Sequence, residues 1–364
     1  MTDRKDTPLE AELKTQIAQD GPLPVAHYMA LALGHPKYGY YMRGDPFGAR
    51  GDFITAPEVS QMFGELIGVW CAAAYRFMGD PERFALVELG PGRGSLMADL
   101  LRAASVMPGF REAAELHLVE TSPVLANQQK IKLKGAAGEM HWHAALDDVP
   151  DMPLIVIANE FFDALPIQQM QLTEGGWRER VVGLQGDQLT MGLGGPASAP
   201  AYAAAAEPGA IAEVSAARDA AARIIGQRIA VHGGAGLIID YGHMESACGD
   251  TLQAMSKHGY VDILERPGQC DVTSHVDFEA LAAEIEAGGA KTHGPVPQGP
   301  FLLSMGLQIR AEKLREKAMR RQARHIDSAV ERLAAREQMG ELFKVLAVTH
   351  PDYPTPAPFE GLTA

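Results

Sequence analysis

The spacing of apolar residues changes near position 83, which separates differently patterned regions of the chain. Upstream, Leu9, Leu13 and Ile17 recur at helical spacing, and a second helix is predicted from about Val25 to Leu33. From Gly34 to Gln61 glycines alternate with aromatic residues, the pattern of a structured loop, and a helix resumes near Glu58 and runs to about Met78. From Arg83 short, nearly all-apolar runs alternate with helical ones: FALVELG, GSLMADLLRAA, ELHLVE, SPVLANQQKIKLK, MHWHA and PLIVIANE. Such alternation predicts an α/β fold built on a doubly wound, mostly parallel sheet.

The alternation pauses after Pro166. QQMQLTEGGWRERVVGLQGDQLTMGLG reads as antiparallel strands joined by glycine turns, and the alanine-rich GGPASAPAYAAAAEPGA as a flexible surface loop. A helix from about Val214 to Ala230 leads into LIIDYG, Leu237 to Gly242, a further buried strand. Beyond it the pattern predicts a helix near Asp277 to Glu286, a proline-rich connection, helical chain from about Phe301 to Arg336, and a short helix near Gly340 to Val348. The expected organisation is an N-terminal helical region with a lid loop (1–80), a core in two pieces (81–167 and 233–364), and an inserted strand and helix subdomain (168–232).

Composition narrows the function. Of 364 residues 46% are hydrophobic and 21% charged, which is ordinary globular content and excludes extensive disorder. With 32 Lys and Arg against 46 Asp and Glu, the formal charge of −14 disfavours a nonspecific grip on nucleic acid or anionic membrane. The exception is residues 310–336, with nine basic residues against four acids, a pattern usual for a solvated helix face but also fit to meet an acidic protein or RNA. Cys71, Cys248 and Cys270 have neither disulfide nor zinc spacing, and His141 and His143 share a strand face without a third ligand, so no metal is expected. No window approaches the roughly 18 apolar residues of a spanning helix, and the reading is a soluble cytoplasmic protein.

The candidate chemistry lies at the ends of the first strands. Gly90, Pro91, Gly92 and Gly94 form a turn from strand to helix, where backbone can approach a ligand closely. Its G-x-G-x-G spacing departs from the dinucleotide fingerprint, and Glu88, two residues earlier, would repel a pyrophosphate. Glu120 ends the second strand, where a carboxylate can accept both hydroxyls of a ribose, with Thr121 and Ser122 opening the next helix. Either acid alone could be a helix cap. Together with the glycines they suit adenosine joined to a methionine-like cation, S-adenosyl-L-methionine. Ala145 and Leu146, after the third strand, stand where adenine is usually gripped, with Trp142 an apolar neighbour.

The strings HPKYGYY, GDFITAPEVSQ, VELGPGRG, VETSP, ANEFFDALP, IDYG, HVDF and GELFKVLAV together resemble the MidA family of class I methyltransferases, whose mitochondrial members assist respiratory complex I assembly. The resemblance covers most of the chain and departs mainly in the alanine-rich segment 195–209. It implies a Rossmann-like core and dimethylation of an arginine in a protein substrate, a complex I core subunit. On that reading Glu160 pairs with the guanidinium, Asp163 is a second or supporting acid, and Asn159 bonds cofactor or acceptor. Asp52, Phe53 and Thr55, in GARGDFITAPE, become a lid over the cofactor. Asp240 and Tyr241 are secondary candidates, and His275 and Asp277 suit a loop and a helix cap. The alternatives are a methyltransferase acting on RNA or a small molecule, and a noncatalytic assembly chaperone that retains the cofactor fold.

Overall fold

A computed structural model of the chain describes residues 6–43, 55–136 and 138–362. Contacts divide the chain into two compact units. One is Met1–Phe53 with Asp163–Asp219 and Glu245–His275, and the other is Ile54–Phe162 with Ala220–Met244 and Val276–Ala364. These boundaries fall elsewhere than the expected 1–80, 81–167, 168–232 and 233–364.

The second unit holds the alternating pattern. Its elements are α1 (Gln61–Phe77), β1 (Phe84–Leu89), α2 (Ser95–Ala104), β2 (Ala114–Val119), α3 (Pro123–Lys132), β3 (Met140–His143) and β4 (Leu154–Asn159). There follow α4 (Ala216–His232, whose first residues belong to the other unit), β5 (Gly234–His243), α5 (Phe278–Ala287), β6 (Lys291–Pro297), α6 (Leu307–Arg315), α7 (Arg320–Ala334) and β7 (Phe343–Thr349). The sheet order is β6-β7-β5-β4-β1-β2-β3, with the two-residue strand Val276–Asp277 beside the end of β5. Strands β3, β2, β1, β4 and β5 are parallel, and β7 runs antiparallel to both β5 and β6.

Every residue of β1 and β4 is buried, as a parallel strand covered on both faces requires. Helix α1 is held against α2 by a glycine. A Cβ on Gly68 would stand 2.5 Å from the Leu100 carbonyl oxygen, so only glycine permits this approach. Phe84, Leu86, Leu96, Leu100, Ile155 and Ile157 belong to the resulting core.

Three expectations for the C-terminal part are corrected. The predicted helix at Gly340–Val348 is instead β7, paired on both sides and buried throughout. An apolar run covered on both faces has no period by which helix and strand can be told apart. The proline-rich connection is β6, an edge strand, where Pro295 removes no needed ladder donor. The helical chain from Phe301 to Arg336 is three helices, Gln298–Ser304, α6 and α7, the first two separated by Gly306 in the left-handed region (φ 96°).

The first unit begins with the predicted helices, Pro8–Asp20 and Val25–Gly34. The predicted hairpin strands appear as Gln168–Thr173, Gly176–Gln185 and Gln188–Pro196. With Leu23–Pro24 and Ile211–Val214 they make a five-stranded antiparallel sheet. A three-stranded sheet follows from Gln253–Ser256, Gly259–Val261 and Asp271–Thr273. The alanine-rich segment is not simply a surface loop. Ala203 is buried beside Met170 and Ala212, and Tyr202 Oη both donates to the Glu213 carbonyl (2.8 Å) and accepts its N–H (3.1 Å). Alanines gave no sign of this in the sequence, because the anchoring is done by one tyrosine.

Candidate functional site

The sheet order reverses between β1 and β4, and in open α/β sheets ligands bind at the carboxyl ends of strands beside such a reversal. The glycine turn leaves β1 at that point. Gly90, Gly92 and Gly94 all have positive φ (62°, 53° and 78°), and the Gly94 N–H closes the turn on the Pro91 carbonyl at 2.7 Å. A Cβ on Gly90 would come within 3.1 Å of Phe161 Cδ2, so the turn and the chain after β4 are in close contact.

The two acids stand at adjacent strand ends. Glu88 is 3% exposed and its Oε2 has no hydrogen-bond partner. Burial, and secondarily the Glu120 charge, holds its carboxyl well above the ordinary carboxylate range. Glu120 is pushed up by burial as well, against the opposing effect of its hydrogen bonds. Its Oε1 accepts the Ser122 N–H at 2.7 Å and its Oε2 the Gln129 amide at 3.1 Å. Ser122 is buried and caps α3 by accepting the Leu125 N–H at 3.4 Å, while Thr121 is exposed.

Beyond β3, Ala145 is exposed and extended, and its N–H bonds Asp148 Oδ2 at 3.1 Å. Leu146 is buried at the start of a short 3₁₀ turn. Trp142 donates to Gln129 Oε1 at 2.9 Å.

At the end of β4, Asn159 is 8% exposed and its Oδ1 has no partner, while its Nδ2 donates to Glu160 Oε1 at 3.1 Å. The same Glu160 oxygen accepts the Ala56 N–H at 3.2 Å. Glu160 adopts φ 50°, a left-handed conformation that costs a non-glycine residue about 1 kcal/mol or more and is tolerated where surroundings enforce it. Asp240, fully buried, stabilises this turn: its Oδ2 accepts the Phe162 N–H at 3.0 Å and its Oδ1 the Tyr241 N–H at 2.9 Å.

Asp163 begins a segment of the other unit. It is 6% exposed, and its carbonyl accepts the Ser274 N–H at 3.1 Å and an Arg218 N–H at 3.3 Å. Thr55 is buried and its carbonyl accepts the N–H groups of Glu58 and Val59. Asp52 and Phe53 lie outside the described residues. Asp277 caps α5 through the Ala280 N–H at 3.0 Å. His141 and His143 stack with His117, whose Nδ1 is 2.9 Å from His143 Nε2.

Sequence reasoning missed two features. Glu58 in the helix Ala56–Val59 accepts the Ser95 hydroxyl and lies 3.6 Å from Arg93, and Lys132 bonds Ser95 at 2.9 Å, so the segment before α1 is tied to the glycine turn. Gln129 was the other. It occupies the Leu125/Leu133 face of α3, and a polar residue in an apolar stripe was the available signal.

S-adenosyl-L-methionine fits these residues. A buried carboxylate oxygen without a partner suits the cofactor's ammonium, an acid at the β2 end suits its ribose, and a turn with three glycines lets it lie close to the backbone. Residues 66–296 match the family model described as "Putative S-adenosyl-L-methionine-dependent methyltransferase". The chain is 37% identical to the Drosophila melanogaster "Protein arginine methyltransferase NDUFAF7 homolog, mitochondrial", over 93% of this chain and 84% of that one. It is 35% identical to the human "Protein arginine methyltransferase NDUFAF7, mitochondrial", over 94% and 83%. A superfamily member from Burkholderia thailandensis, crystallised with S-adenosyl-homocysteine, superposes with a TM-score of 0.81 at 28% identity, covering 94% of this chain and 92% of that one.

The relatives' mitochondrial names overturn the cytoplasmic expectation. Net charge and cysteine spacing report solubility and redox chemistry, and neither carries an address. Among the described residues no helix is long and apolar enough to cross a membrane. Sheet order, glycine turn, paired acids and a family match over most of the core lead to one conclusion: this chain belongs to the S-adenosyl-L-methionine-dependent methyltransferases.

Proposed function

We propose that the chain methylates an arginine side chain of a protein, with dimethylation of a complex I core subunit as the specific reaction. The observation that carries this reading is the Glu160 carboxylate, held in a left-handed turn by Asn159 and the Ala56 N–H, one residue before the Phe161 ring that lies against Gly90. The names of the relatives supply the arginine.

Arginine is protonated at any physiological pH, so its nitrogen becomes a nucleophile only when the guanidinium is oriented and a proton is removed. A pre-held carboxylate offers a charge-assisted bond for the first task and an acceptor for the second. Bound S-adenosylmethionine supplies the methyl group on a sulfonium, so the chain's own part is alignment and exclusion of water. Asn159 Oδ1, buried without a partner, offers an acceptor for the cofactor or the substrate. In this proposal Glu88, Gly90, Pro91, Gly92, Gly94, Glu120, Thr121 and Ser122 hold the methionine and ribose portions, Ala145 and Leu146 flank adenine, and Thr55 covers the site. Asp163 is assigned the part of a second or supporting acid.

The basic stretch 310–336 gives little support to an RNA substrate. Arg310 is committed to Glu65, and Arg315 to Asp327 at its exposed surface.

Glu160→Gln retains shape and loses charge. Turnover on an arginine-bearing protein is expected to fall about a hundredfold, the equivalent of about 3 kcal/mol, with cofactor affinity unchanged, and Asp163→Asn to fall less. Labelled methyl transfer into extract, digested with protease or nuclease, identifies the acceptor class. Label released by nuclease, or wild-type turnover by Glu160→Gln, would refute the proposal.

A further inference from the structure

Helix α3 buries Leu125, its C-terminal cap residue Leu133 is buried too, and Gln129 stands midway between them in sequence with no exposed surface. A primary amide withdrawn from water must have its hydrogen bonds met within the protein. The partners fix its orientation. Trp142 Nε1 can only donate, so the amide atom 2.9 Å from it is the oxygen. The nitrogen then faces two acceptors, the Gly92 carbonyl at 2.7 Å and Glu120 Oε2 at 3.1 Å. Its two hydrogens match those two acceptors.

No other side chain of this length does the same. Glutamate would set a carboxylate against Glu120 and the Gly92 carbonyl, lysine could not accept from Trp142, and methionine would offer Trp142 only a weak sulfur acceptor and the other two nothing.

The three partners come from separate elements: Gly92 from the turn after β1, Glu120 from the end of β2, and Trp142 from β3. The glycine turn has few side chains of its own with which to hold its shape. Glu120 has Oε1 occupied by the Ser122 N–H and Oε2 by Gln129, so its plane is set before any ligand arrives. We propose that Gln129 is a positioning residue of the cofactor site, registering the glycine turn against the ribose-binding carboxylate so that both ends of S-adenosylmethionine meet partners at a fixed separation. The proposal rests on the assignment of Glu120 to the ribose. Its physical basis is preorganisation, since groups already ordered in the free protein need not be ordered on binding.

The test is calorimetric titration of S-adenosylhomocysteine into the full chain and three variants: Gln129→Met, Glu120→Gln and the double substitution. Methionine keeps the volume and the helical preference of glutamine while removing its hydrogen bonds. Each single substitution is expected to weaken binding about tenfold, and the pair about thirtyfold rather than about a hundredfold, because Gln129 acts in part through Glu120. A Gln129 that served stability alone would lower the unfolding midpoint and leave affinity untouched, which overturns the proposal. Fully multiplicative losses overturn it too. Unchanged affinity in Glu120→Gln removes Glu120 from the ribose and the positioning role with it. Loss in Glu120→Gln beside wild-type binding in Gln129→Met removes the positioning role only. If Gln129→Met does not fold, Trp142→Phe frees the amide oxygen and is expected to weaken binding about threefold, and wild-type affinity there overturns the proposal.

Discussion

Glu65 and Glu88 are both buried glutamates of the same unit, yet their surroundings are opposite. Glu65, on α1, is 5% exposed and accepts two bonds of 2.8 Å from Arg310 of α6, together with one from Arg102 of α2. Burial pulls its pKa up, but the two arginines outweigh that and hold it below the ordinary range. Glu88 is as deeply buried, with one oxygen unpartnered and another acid nearby, and its pKa is raised. An acid that ties helices together carries its counter-ions within the fold. An acid that takes a cationic ligand, the role proposed for Glu88, leaves part of its solvation unmet until the ligand arrives.

The largest expected effect sharpens this contrast. Glu65→Ala removes the carboxylate that pairs Arg310 and leaves Arg102 with Asp99 alone, and is expected to cost about 3 kcal/mol in urea unfolding, with cofactor affinity unchanged. Glu88→Gln is expected to show the reverse: stability at pH 7 equal to or above wild type, and S-adenosylmethionine binding weakened about tenfold, or about 1.4 kcal/mol. Equal stability losses in the two variants would erase the distinction.

A second expectation concerns protons. Cofactor cations favour the ionised form of Glu88, so binding at pH 7 is expected to release up to about one proton. Calorimetric enthalpies in buffers of differing ionisation heat measure it. The release should vanish in Glu88→Gln, and identical enthalpies in all buffers for the wild type would contradict a raised Glu88 pKa in the free protein.

The smallest effect is on the pH dependence of stability, where the two acids carry opposite signs. Glu65, with its folded pKa depressed, contributes stability present above the unfolded carboxyl value near 4.5 and lost as pH falls through its folded value. Glu88, with its folded pKa raised, contributes stability present below that value and lost as pH rises through its folded one. Each can change the slope by at most about 1.4 kcal/mol per pH unit. Urea midpoints from pH 3 to pH 8 should show Glu65→Gln flattening the loss of stability on the acid side and Glu88→Gln removing a loss of stability as pH rises toward neutrality.

Much of the second unit was legible because the signal lay within short windows. β1, β2 and β4 announce themselves as apolar runs, and Glu88, Glu120 and the glycine turn sit at their ends. What escaped depends on partners distant in sequence. Phe343–Thr349 is a strand because β5 and β6 flank it, which no local period reveals. Lys291–Pro297 is a strand because its place at the sheet edge tolerates Pro295. Gln129 gains its meaning from Gly92, Glu120 and Trp142, each on another element, and Glu160's turn from Asp240 and Ala56. The candidate site residues lie at strand ends that local patterns locate, whereas the contacts that support them come from distant parts of the chain.

The antiparallel β7 has a consequence for biosynthesis. It lies between β5 and β6 in the sheet, although both leave the ribosome before it. Until Phe343–Thr349 emerges, β5 presents an unfilled row of backbone donors and acceptors, and β6 has no neighbour to dock upon. A nascent chain halted upstream of Phe343 is therefore a sticky open edge rather than a smaller enzyme, and the sheet can close only late in translation.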